Sequence, residues 1–142
     1  GVFNPSSMPV ELNYLAILAA AAANMILGAL WYSPLLFGGI WMRAMNFRKE
    51  NMNGGDMAVL YLVAFLMCLL TNFVLAHYID YLGAETASEG AESAFWPWLG
   101  FFVPVLVGGV LWEKKSFKVF LINAANYLVA LLSSGIILAL WQ

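Results

Sequence analysis

Charge is what this sequence has least of. Asp, Glu, Lys and Arg make up 10% of its 142 residues, against about 25% in a soluble domain, and so little charge cannot keep a protein surface in water. A net charge of −2 is too near neutral to draw in nucleic acid or an acidic partner. Cysteine and histidine are nearly missing, with Cys68 and His77 the sole examples. That excludes a disulfide framework and a dithiol redox pair, and leaves too few donors for a structural zinc site. There is also no nucleophile elbow, no glycine-rich phosphate loop, no pair of carboxylates within an apolar run and no metal-ligand cluster. The expectation is a non-enzymatic protein with no cofactor and no metal.

Apolar and aromatic residues fill the chain instead, at 63% and a mean hydropathy of +0.83. A helix rises about 1.5 Å per residue and the hydrocarbon layer is about 30 Å thick, so a span needs roughly 20 uncharged residues. Four runs qualify, giving helices at about 12–33, 57–79, 93–112 and 118–141. The period-2 alternation of a membrane barrel is absent. The fold class is therefore all-α, an integral membrane four-helix bundle forming a single domain over 8–142. Residues 1–7 read as a cloning remnant or pro-segment, because Met8-Pro9-Val10-Glu11 before an apolar run looks like a natural start. The first run lacks a basic leader and a small-residue cleavage site, so it reads as a retained helix.

The charges sort by connection. All six basic residues lie in the first connection (Arg43, Arg48, Lys49) or the third (Lys114, Lys115, Lys118), while the second carries Asp80, Glu85, Glu89 and Glu92. By the positive-inside rule, connections one and three are cytoplasmic and both termini are outside. In the long first connection, Ser33-Pro34 ends the first helix. Phe37, Ile40, Trp41, Ala44 and Met45 then fall at helical spacing opposite Arg43, Asn46 and Arg48, as in a short amphipathic helix lying in the interface. Asp56 is expected to cap the second span, and Thr86 with Glu89 forms a capping box before the third. Trp31, Tyr32, Trp41 and Trp112 make one aromatic belt, and Tyr14, Tyr78, Tyr81, Trp96, Trp98 and Trp141 the other.

Membrane helices associate through small residues and polar side chains. Stripes at i+4 predict the inward faces: Ala16, Ala20, Asn24 and Gly28; Ala64, Cys68, Asn72 and Ala76; Gly100, Pro104 and Gly108; and Asn123, Asn126, Ala130, Ser133 and Ser134. Asn24, Asn72, Asn123 and Asn126 are the strongest internal feature, read either as ties between helices or as the lining of a polar pathway. Pro104 is expected to kink the third span and free the Gly100 carbonyl, as in the broken helices of transporters. No ionisable group lies mid-span. His77 and Glu113 fall at helix ends, and Glu113 is expected to pair with a neighbouring lysine. A cytoplasmic-end group of Trp31, Tyr32, Ser33, Pro34, Trp41, Arg43, Trp112 and Glu113 completes the candidate residues.

Leu12-Asn13-Tyr14-Leu15-Ala16, Gly28-Ala29-Leu30-Trp31-Tyr32-Ser33-Pro34-Leu35-Leu36-Phe37-Gly38 with Trp41-Met42, and Leu111-Trp112-Glu113 through Phe120-Leu121-Ile122-Asn123 together resemble a family of small bacterial inner-membrane proteins known as domain of unknown function 1761. The resemblance runs over about 8–142 and implies four helices, with no catalytic or binding residues to carry over. Gly38-Gly39 stands where the family pattern suggests glycine and a basic residue. The leading expectation is a protein that works through helix contacts as a homo-oligomer or as an accessory subunit, with the lipid bilayer as its surroundings. The alternative is a small channel or transporter.

Overall fold

The computed structural model describes residues 12–46 and 53–142. The segment expected as a remnant (1–7), the start at Met8, and Arg48 and Lys49 lie outside the described residues. Every regular element described is helical: α1 (Tyr14–Trp31), α2 (Gly38–Met45), α3 (Gly54–Leu82), α4 (Ala87–Pro97), a π turn (Trp98–Phe102), α5 (Val103–Leu111) and α6 (Phe117–Leu140). α4, the π turn and α5 run on as one span, so four helices are long and apolar enough to cross a membrane.

Caps, more than hydropathy, decide where these helices start. Asn13 opens α1 by accepting from the Ala16 N–H at 3.1 Å. α3 begins earlier than expected because Asn53, not Asp56, is its cap: Asn53 Oδ1 accepts from the Asp56 N–H at 2.8 Å. Asp56 instead occupies the first turn, where its charge suits the positive end of the helix dipole. The Thr86–Glu89 capping box is present, with both reciprocal bonds made. It starts α4 at Ala87, well before the apolar run begins. The first helix ends at Trp31, ahead of Ser33-Pro34.

α6 is the axis of the bundle. α1, α2, α3, α4 and α5 all pack against it, and a third of its apolar stretch is buried, against 6% for the α4–α5 span. The described start of the chain and its C-terminal end sit together with the α3–α4 turn: Asn13 Nδ2 reaches the Trp141 carbonyl at 3.4 Å, and Gln142 Nε2 donates to the Ala84 carbonyl at 2.6 Å. The opposite end holds α2 and the α5–α6 connection. The core is small and dense, built from Ala16, Ala20, Leu75, Ala76, Ile79, Ala94, Leu138 and Ala139.

The tightest approach lies between α4 and α6, where Gly90 faces Gly135. A Cβ built on Gly90 would stand 2.2 Å from the Gly135 carbonyl oxygen, and one on Gly135 would stand equally close to the Gly90 oxygen. With glycine at both positions the two backbones touch, the close packing that small residues permit between helices in lipid. This corrects two expected faces. Gly100 and Pro104 are exposed, and a Cβ on Gly108 or Gly28 would meet nothing within 4 Å. The small-residue face of the third span is Gly90 and Ala94, one stretch earlier in the helix.

The expected kink at Pro104 takes a different form. Over Trp98–Phe102 the turn widens, and the Val103 N–H bonds five residues back to the Trp98 carbonyl. Pro104 follows in the first turn of α5, and because the span is continuous its missing N–H leaves one bond of the preceding turn unmade. Widened turns of this kind absorb proline and rotate the face that follows.

Candidate functional site

The asparagines gather on α6. Asn24 Oδ1 accepts from Asn72 Nδ2 at 2.8 Å and from the Ser134 hydroxyl at 3.1 Å, while Asn24 Nδ2 donates to the Ala130 carbonyl at 3.1 Å. Asn72 Nδ2 also donates to the Cys68 carbonyl of its own helix at 2.8 Å. Asn72 and Ser134 are fully buried, and among the described residues Asn72 Oδ1 has no donor. One cluster thus ties α1, α3 and α6. Bonds of this type between membrane helices contribute about 0.6 kcal/mol each on average, so the three interhelical links together are worth about 2 kcal/mol.

A second polar knot lies nearer the α2 end. The Tyr32 hydroxyl donates to Asn123 Oδ1 at 2.6 Å. Burial pushes the Tyr32 phenol well above its ordinary range, helped by Tyr127, while the Asn126 amide beside it acts in the opposite direction. The hydroxyl therefore stays a protonated donor. Trp31 Nε1 donates to the Ile122 carbonyl at 2.9 Å, and Trp98 Nε1 donates to the Ala124 carbonyl at 2.8 Å. The two indoles bond α6 from different helices within one turn. Trp98 therefore does not belong to an end belt: it lies mid-span and binds backbone, a placement hidden while the third helix was taken to start at 93.

Between α3 and the π turn with α5, the bundle is open. A cavity of about 640 Å³ lies there, walled by Met67, Phe101, Val105 and Leu131, with Asn24, Thr71 and Asn126 as its polar lining. Pro104 is exposed and does not line it, and Asn72 lies behind Asn24, so the four asparagines form two knots and no continuous file.

The rest of the end group divides in the same way. The Ser33 hydroxyl donates to the Leu30 carbonyl at 2.7 Å, and the Ser33 carbonyl accepts from the N–H groups of Leu36 and Gly38. This turn seats α2 beneath the end of α1. Gly38 is required there, since a Cβ would stand 2.1 Å from the Tyr32 carbonyl oxygen. Trp41 meets Tyr32 edge-on at 5.6 Å. Pro34 and Arg43 are exposed, and so is Trp112, at 86%. Glu113 pairs with Lys115 at 3.0 Å, an exposed contact. His77 Nδ1 meets the carbonyl of Phe73, four residues back on the same helix, at 2.8 Å. Sequence reasoning missed the roles of Trp98, Thr71 and the Gly90–Gly135 contact. The Thr86–Glu89 capping box already carries Gly90 into the first turns of α4, but the small-residue face was sought only within the apolar run.

Four helices long and apolar enough to cross a membrane, tied by buried amides and packed over a core of alanine, leucine and isoleucine, are what a small multi-spanning membrane protein requires. The chain belongs to the family described as protein of unknown function DUF1761, whose profile matches residues 15–139. No curated protein and no solved structure matches it.

Proposed function

We propose that the protein is a non-enzymatic, multi-pass component of the bacterial inner membrane that acts by associating with a second copy of itself, α3 and α5 forming the contact. The observation that carries this reading is the open cleft between those helices. Its Thr71 and Asn126 side chains line it at mid-span depth, with no described helix laid over them, and polar groups at such depth favour contact with protein over lipid. Exposed Met67, Phe101 and Val105 rim the cleft and supply bulky groups for a twofold-related copy to interlock. The basic residues of connections one and three support a cytoplasmic position for α2 and the α5–α6 turn, with both termini outside.

Native mass spectrometry of the protein released from lipid nanodiscs tests the association. A dimer that Val105→Arg converts to monomer is expected, and a monomer at every concentration overturns it. A hetero-subunit retained from the native membrane in place of a second copy would make the protein an accessory subunit. For orientation, Glu85→Cys in a Cys68→Ser background is expected to label from the periplasmic face; labelling from the cytoplasmic face alone reverses the topology.

The same cavity favours a second reading, a small transporter whose solute meets Asn24 and Asn126. Flux through proteoliposomes that Asn126→Leu abolishes would support it, and no flux in the parent protein would remove it.

A further inference from the structure

At the α2 end, a separate cavity of about 720 Å³ opens between α2 and the first turn of α6. Its lining is layered. Arg43, Lys118 and Ser116 form one part, and Phe37, Ile40, Leu121 and Ile122 form the other. Arg43 and Lys118 come from different elements, and among the described residues neither has an ion-pair partner, whereas Lys115 is taken by Glu113. Among the described residues, no carboxylate lines the cavity. The positive end of the α6 dipole adds to the two cations, because α6 begins at Phe117 beside them.

The pocket is also held in shape. Gly38 fixes α2 under the Tyr32 carbonyl and Trp41 rests on the Tyr32 ring, so Arg43 is carried on a seated helix. Ser116 Oγ caps α6 by accepting from the Lys118 N–H at 3.1 Å, which fixes the first turn that bears Lys118.

We propose that this cavity binds the headgroup of an anionic phospholipid, its phosphate between Arg43 and Lys118 and the start of an acyl chain along Ile40, Leu121 and Ile122. A free phosphate shares the anionic chemistry but has no use for the apolar half, so the lipid is the occupant. The inference rests on the membrane reading but is independent of the dimer.

The test is native mass spectrometry of the full chain from nanodiscs containing phosphatidylethanolamine and phosphatidylglycerol, scoring the ratio of the two lipids retained. The parent protein is expected to enrich phosphatidylglycerol. Arg43→Gln with Lys118→Gln is expected to cut that enrichment about fivefold or more, as loss of two interfacial cations should. Lys114→Gln with Lys115→Gln removes the same charge and is expected to leave it within about twofold. Equal loss in both double variants, or none in the first, overturns the site. Displacement of the lipid by millimolar inorganic phosphate would overturn the lipid as occupant. Failure of the parent to enter nanodiscs would instead strike the membrane reading itself, an outcome separable because insertion is scored by co-elution with the disc.

Discussion

Replacing Gly90 by alanine adds one methyl group where the structure has no room for it. The new carbon would stand 2.2 Å from the Gly135 carbonyl oxygen, and ordinary contact begins near 3.4 Å, so α4 and α6 must part by about an ångström. The obstacle is backbone, and no side-chain rotation relieves it. Overpacking costs about 1–3 kcal/mol, and a backbone-to-backbone clash belongs at the upper end. Alanine returns about 1 kcal/mol of helix propensity, leaving a net loss of about 2 kcal/mol. On the scaling for soluble domains of similar length, that lowers the melting temperature by about 6–8 °C. Gly28→Ala is the matched control: its Cβ would meet nothing within 4 Å, so only the propensity gain remains and the melting temperature should rise by a few degrees. Cys68, the only cysteine and half-buried against Met25, supplies the assay through a thiol-reactive dye followed on heating in detergent. A Gly90→Ala protein that melts with or above the parent would refute the claim that α4 and α6 meet backbone to backbone.

Three further outcomes are expected. Among single replacements in the buried amide cluster, Asn24→Leu should destabilise more than Ser134→Ala, by about 2 against about 0.6 kcal/mol, because Asn24 makes three interhelical bonds and Ser134 one; the reverse order in the same melting assay would disprove the network. Thr86→Val should cost about 1 kcal/mol and raise amide hydrogen exchange in the first turn of α4, whereas unchanged exchange would mean the capping box is idle. Tyr32→Phe removes the 2.6 Å bond to Asn123 and should cost about 1 kcal/mol; a protein as stable as the parent would show that the bond contributes nothing.

Much of this architecture was legible in the sequence, and the particular failures share a cause. The four runs were found because lipid imposes length and apolarity, and the Ser33-Pro34 stop because proline acts locally. The helix start at Gly54 was missed because hydropathy registers the first apolar residue, while Asn53 decides the first helical one; the Thr86–Glu89 box did mark a start ahead of the third apolar run. The same bias carried inward. Counting the third span from 93 leaves Gly90 out of the search for an inward face, so the i+4 stripe through Gly100, Pro104 and Gly108 became the candidate face. The π turn defeats that stripe as well, since a widened turn breaks the i+4 phase. The asparagines were recognised as internal, yet their division into two knots depends on which helices adjoin, a tertiary fact. Trp31 and Trp98 were taken as depth markers, since an indole that sets depth and one that donates to a neighbouring carbonyl have the same one-letter code.

The order in which these helices appear along the chain bears on how the molecule assembles. α6 comes last of the four spans, yet Asn24 of α1, Trp31 at the end of α1 and Trp98 of the π turn all find their acceptors on it. During synthesis the earlier helices emerge with polar groups prepared for a partner that does not yet exist. Assembly is thus closed from the C-terminal side: until α6 arrives, α1 and α3 are joined by the Asn24–Asn72 bond and the Met25–Cys68 contact across their small faces. A chain halted before residue 117 would hold the three earlier spans with Asn24, Trp31 and Trp98 lacking their acceptors, polar groups that hydrocarbon leaves unmet at a cost.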